Sequence, residues 1–111
     1  MKEYIKNYFL DLNYKITDKR DSRISLAHNL NHKEVELVFI SNLKENLSEP
    51  NFDPDRIYLY IIDESNLDSN DFEIFEAYAT TLPSNASIII FSEEYIEHTM
   101  KDIWMFLNKS N

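Results

Sequence analysis

The sequence predicts an α/β domain: a single mixed sheet with an antiparallel meander, a parallel βαβ unit and helices packed on the sheet, in the order α-β-β-β-β-α-β-α. Three observations point to it. Apolar residues near the N-terminus recur every three or four positions, those between 14 and 40 alternate with polar ones, and two continuous apolar runs at 57–62 and 87–91 frame a second stretch of helical spacing. An amphipathic helix, half-buried antiparallel strands and strands covered on both faces leave these signatures.

The first helix takes its apolar stripe from Tyr4, Ile5, Tyr8, Phe9 and Leu12. A meander follows, in which Tyr14 and Ile16, then Ile24, Leu26 and His28, then Val35, Leu37 and Phe39 alternate with polar residues. Lys19-Arg20-Asp21-Ser22 and Asn29-Leu30-Asn31 read as its hairpin turns. Residues 41–55 mix Asn, Ser and Glu with Pro50 and Pro54, which predicts a loop with one helical turn around 43–47. After the run at 57–62, Phe72, Phe75, Ala79 and Leu82 fall on one helical stripe, with Asp68 or Ser69 as N-cap and Pro83 past the end. The run at 87–91 completes a strand–helix–strand unit of the length that a right-handed parallel crossover needs. Ser92 then stands ready to cap a last helix that buries Ile96, Met100, Ile103, Trp104 and Leu107. Trp104, Met105 and Phe106 are consecutive and cannot all face inward, so Met105 or Phe106 is expected outside. With no internal repeat, low-complexity tract or linker, residues 1–111 form one domain.

Composition excludes much chemistry. The chain has no Cys and no Gly, and carries a net charge of −9. Thiolate nucleophiles and Cys-type zinc sites are ruled out, and the absence of Cys fits a reducing compartment. Average usage would give about eight glycines in a chain of this length. Without them, Walker loops, dinucleotide fingerprints, nucleophile elbows and EF-hand loops have no standard form. Left-handed turn and cap positions fall instead to Asn and Asp, and twelve Asn are present. The N-terminus lacks the apolar run of a signal peptide, and no stretch reaches about 18 apolar residues. A cytoplasmic location is expected.

An order of helix, three antiparallel strands, helix and parallel strand also occurs in restriction-endonuclease-like folds, and element order alone establishes no family. Their sites place an acid on the second strand and a Glu-x-Lys-like pair on the third, to hold a divalent metal and activate water. Here Lys33-Glu34-Val35-Glu36 has no lysine two places after either glutamate, and the second strand offers only Ser25 and His28. Asp21, Glu34 and Glu36 remain as a reduced set. His28 and His32 flank a turn and would need Glu94 or Glu97 from the last helix to complete a zinc set; two exposed turn histidines are the simpler reading. Ser41 and Ser92 follow strands as catalytic serines do, but capping accounts for Ser92. Asp63-Glu64 and Glu93-Glu94 follow the two apolar strands, where ligands of parallel sheets often bind, and together would hold Mg²⁺. Acids at helix starts also satisfy the helix dipole, and no metal or cofactor is assigned.

Charge placement is the strongest functional signal. Residues 1–56 carry 9 Lys and Arg against 10 Asp and Glu, whereas 57–111 carry 2 against 10. The ten acids are Asp63, Glu64, Asp68, Asp71, Glu73, Glu76, Glu93, Glu94, Glu97 and Asp102, with only Lys101 and Lys109 to offset them. They are expected to make one continuous negative field, which repels nucleic acid and anionic membranes and attracts basic protein surfaces. Tyr58, Tyr60, Tyr78 and Tyr95 are candidate anchors near that rim. The first reading is a non-enzymatic domain that neutralises a basic partner by occlusion, as immunity proteins and inhibitors of nucleases, toxins or nucleic-acid-handling proteins do. The second is a metal-dependent enzyme or degenerate restriction-endonuclease-like domain using the residues above. The third is an adaptor or homodimer built on Trp104, Met105 and Phe106.

Overall fold

Apolar spacing of three and four folds the N-terminal segment into α1 (Lys2–Asp11), which buries Ile5 and Phe9 completely. The computed structural model describes residues 1–43 and 52–109. Asn13 ends α1 with φ at 71°, a left-handed position that glycine usually fills. There its carbonyl and Oδ1 accept from the backbone N–H and Nδ2 of Asn29, both at 2.9 Å. His32 takes the other positive φ among the described residues, 62°, in the second hairpin turn. Asparagine thus replaces glycine in one of the two places where the backbone requires it.

The alternating segment forms β1 (Tyr14–Lys19), β2 (Arg23–His28) and β3 (Glu34–Ile40), and the continuous apolar runs form β4 (Arg56–Asp63) and β5 (Ala86–Phe91). They make one five-stranded sheet in the order β1-β2-β3-β4-β5. The first two pairings are antiparallel and the last two parallel. A bulge between Ile16 and Asp18 interrupts β1, and a 3-10 turn at Glu64–Asn66 leads from β4 toward α2 (Asp71–Thr81). The last helix is α3 (Ile96–Lys109). The predicted element order and mixed sheet are therefore the observed ones.

Each face of the sheet has its own core. On one, α1 and α3 cover Ile24, Leu26, Val35, Leu37, Leu59 and Ile61; on the other, Ile74, Phe75 and Tyr78 of α2 cover Tyr58, Tyr60, Ile62 and Ile88. β4 lies inside the sheet between β3 and β5 and is buried from Ile57 to Ile62, as its unbroken apolar run requires. Leu43 is buried in the α2-side core, while residues 44–47 of the expected helical turn lie outside the described residues.

Three residues assigned to buried stripes face outward: Tyr4 is 57% exposed, Phe72 68% and Trp104 53%. Each neighbours the buried stripe at about 100° per residue, and a single sheet face accepts only a narrow row from each helix. Of the last-helix trio, Met105 is exposed and Phe106 half-buried.

At the junction of α1 and β1, Phe9 meets Tyr8 and Tyr14 edge-on, with ring centroids 5.8 and 5.2 Å apart. Burial pushes the phenols of Tyr8 and Tyr14 above their ordinary range, Tyr8 adding to the shift of Tyr14. A phenol whose folded pKa exceeds its unfolded value, about 10, stabilises the fold below that value and loses the contribution as pH rises through the folded one. Urea titrations from about pH 9 to 11 are expected to show falling stability, and Tyr14→Phe is expected to flatten the fall. An unchanged slope in that variant would remove Tyr14 as its source.

Candidate functional site

Because β3, β4 and β5 are parallel, their carboxyl ends share one end of the sheet. Asp63 ends β4 and Glu64 follows it, Glu93 and Glu94 follow β5, and the starts of α2 and α3 bring Asp68, Asp71, Glu73 and Glu97 to the same end. Glu76 and Asp102 lie further along their helices. α2 and α3 cover opposite faces of the sheet, so the ten acids form a band that wraps the β4–β5 end instead of one flat field. The crossover from β4 to β5 puts α2 on one face, and the chain leaving β5 turns to the other.

Not all ten present a carboxylate to solvent. Asp63 Oδ1 accepts from the backbone N–H and hydroxyl of Ser65 at 3.0 and 2.8 Å. Asp68 Oδ1 accepts from Asn70 N–H at 2.8 Å, and buried Asp71 accepts from Asp68 N–H at 2.9 Å, a locked turn ahead of α2. Asp71 is buried and Asp63 half-buried, while Glu64, Asp68, Glu73, Glu76, Glu93, Glu94, Glu97 and Asp102 are exposed. Two large rings stand among them: Phe72, and Tyr95 at 59% exposure with its ring against His98. Tyr58 and Tyr60 are buried and Tyr78 half-buried, so of the four tyrosine anchors only Tyr95 is exposed.

A second polar cluster occupies the sheet surface on the α2 side, over β2, β3 and the start of β4. Glu36 is 4% exposed there; its Oε1 accepts from Ser25 Oγ at 2.7 Å and from an Arg56 guanidinium nitrogen at 2.9 Å. The same guanidinium donates from Nε to Glu34 at 2.7 Å. Glu36 Oε2 has no hydrogen-bond partner among the described residues, and Arg23 approaches it to 3.7 Å. Burial works against the charge on Arg56, but Glu34 and then Glu36 outweigh it and hold its pKa above the ordinary value. These groups border a basin of about 280 Å³. The guanidinium thus sits between the two glutamates that the reduced nuclease set would use for a cation. Asp21 is elsewhere, in the β1–β2 turn, where its carbonyl accepts from Lys2 Nζ at 2.5 Å.

The remaining candidates have local roles. His28 Nδ1 accepts from Leu30 N–H at 3.1 Å, and its ring packs edge-on to Tyr14, while His32 is exposed. Among the described residues no group of three or more His, Asp or Glu side chains converges on a metal position, so Asp63, Glu64, Glu93 and Glu94 do not gather into one. Ser41 is exposed after β3. Ser92 does not cap α3, which starts at Ile96; its N–H donates to Thr99 Oγ1 at 3.2 Å, and its own Oγ is buried without a hydrogen-bond partner among the described residues. A turn through Ser92, Glu93 and Glu94 intervenes because Tyr95 N–H bonds back to the Ser92 carbonyl.

Sequence reasoning missed Arg56 and the burial of Glu36. The available signal was an arginine opening an apolar strand beside a strand with acids at alternate positions. No helix among the described residues is long and apolar enough to cross a membrane. No family model, curated protein or solved structure matches the chain.

Proposed function

We propose that this chain is a non-enzymatic protein-binding domain that neutralises a basic partner by occlusion, as an immunity protein or an inhibitor of a nuclease or nucleic-acid-handling protein does. The supporting observation is the band of exposed carboxylates at the carboxyl ends of β4 and β5, with Phe72 and Tyr95 exposed among them. Carboxylates around accessible aromatic rings combine long-range attraction for Lys and Arg with apolar anchors that exclude water on contact. In the complex the carboxylates stand where phosphate would otherwise bind. Of the ten acids, Glu64, Glu73 and Glu93 are the ones to test, because Asp63, Asp68 and Asp71 order the turns that precede α2.

The test is capture from host lysate by the native chain and by Glu64→Lys/Glu73→Lys/Glu93→Lys, each washed at low and high salt. A basic protein held by the native chain, weakened by salt and lost with the triple variant is the expected result. The purified protein is then expected to lose its nucleic-acid-directed activity when the native chain is added. Identical capture by both chains would overturn the reading.

A further inference from the structure

The sheet ends in β1 on one side and β5 on the other, and the two edges differ. β1 is exposed along most of its length, carries Lys15, Asp18 and Lys19, and is broken by the bulge between Ile16 and Asp18. Charges and bulges of this kind stop another strand from pairing there. β5 has neither: Ala86–Phe91 contains no charged residue, and its register with β4 is unbroken. Tyr58 N–H donates to the Asn85 carbonyl, so Asn85, Ser87, Ile89 and Phe91 turn their backbone groups to β4, while Ala86, Ile88 and Ile90 turn theirs outward. Ala86 N–H donates to the Pro83 carbonyl, and Thr99 Oγ1 donates to the Ile90 carbonyl at 3.3 Å. Among the described residues, the Ala86 carbonyl, both backbone groups of Ile88 and the Ile90 N–H have no hydrogen-bond partner. A row of donors and acceptors at strand spacing is matched by an extended chain.

The surroundings of this edge select the chain. Residues 57–100 contain no Lys or Arg and all of the ten acids except Asp102. α2 flanks β5 on one face with no basic residue of its own, and Glu93, Glu94 and Glu97 follow β5 toward the other face. Among the described residues, none of Glu64, Glu73, Glu76, Glu93, Glu94 and Glu97 is in an ion pair. A second copy would set two such segments side by side with no cation between them. On the α2 side, an apolar recess of about 20 Å³ is lined by Leu67, Phe72, Phe75 and Ile90. We propose that β5 receives an extended basic segment of the partner as a further strand, paired through the outward groups of Ile88 and its neighbours, with a small apolar side chain at the recess and Lys or Arg toward the carboxylates. This rests on the reading of the chain as a binder of basic proteins and specifies how the partner is held.

The probe is an end-blocked peptide of about seven residues that alternates valine and lysine, titrated into the full, isotope-labelled chain. Saturable binding is expected, with hydrogen exchange of the Ile88 and Ile90 amides slowed by about tenfold or more. Exchange at Ile89, whose N–H faces β4, is expected to change little. Replacing lysine by glutamate is expected to weaken the peptide by at least about tenfold. N-methylation of the valines and N-methylation of the lysines give two further peptides, and only one of these sets of amides faces β5. One peptide is therefore expected to stay within about twofold of the parent and the other to bind at least about tenfold more weakly. Phe72→Ser alters a largely exposed side chain at the rim of the recess. It is expected to weaken the probe by about threefold or more with the thermal midpoint unchanged.

Equal affinity of the two methylated peptides would overturn the proposal, as would binding without protection of Ile88 and Ile90, an affinity unchanged in Phe72→Ser, or dimerisation that protects the same amides without the probe. Failure of the proposed function gives a different pattern: no salt-sensitive basic protein is captured from lysate, while the valine–lysine probe still protects Ile88 and Ile90.

Discussion

Phe9→Ala is expected to destabilise the fold by about 3–5 kcal/mol, the cost of removing a fully buried phenylalanine and leaving a cavity. Phe9 is 0% exposed; it ties α1 to β1 through its edge-on contact with Tyr14 and also meets Tyr8 of its own helix edge-on. The loss of these aromatic contacts adds to the loss of buried area. Urea denaturation gives the magnitude, and hydrogen exchange shows where it falls: α1 amides are expected to lose protection before those of β4. A loss below about 1.5 kcal/mol, the scale of a volume-conserving swap, with α1 protection intact would mean that Phe9 is not the anchor of that helix.

Arg56→Leu is expected to cost about 2–3 kcal/mol, less than the ~3–5 of a fully buried pair, because the Arg56 side chain is 36% exposed. The variant leaves Glu36 buried with Ser25 as its remaining short hydrogen bond and Arg23 at 3.7 Å. Glu36→Leu is expected to cost less, since Arg56 keeps Glu34 and reaches water. The double variant should therefore lie well below the sum of the two, a coupling that a double-mutant cycle in urea measures directly. Additive and small effects would reduce the cluster to surface ion pairing.

Much of this fold was legible because periodicity reports how many faces of an element are covered. The unbroken run at 57–62 belongs to an interior strand covered on both faces, and the alternating segments belong to the meander. Less legible was the side of the sheet on which each helix lies. The ten acids all fall in the second half of the chain, but α2 and α3 take opposite faces, which turns an expected field into a band. Local spacing carries no information about that turn of the chain after β5. Glu36 escaped for a related reason: as an acid in an alternating strand it reads as solvent-facing, and only the register that sets Ser25 and Tyr58 beside it, with Arg56 next to Glu34, shows it to be buried. Asp71, likewise, looks like any first-turn acid until its bond to Asp68 N–H is seen. Tyr4, Phe72 and Trp104 fit helical stripes equally well whether the stripe meets a sheet or a partner, so spacing alone did not separate core from surface.

The spatial order of the strands, β1-β2-β3-β4-β5, is also their order in the chain. Every strand is laid against the one made just before it, and none has to be wedged between two that are already joined. A polypeptide emerging from the ribosome amino end first can thus build this sheet by accretion. Its free growing edge at each stage is the surface that the next strand covers, and α1, completed first, is present from the outset to shield one face of the nascent meander.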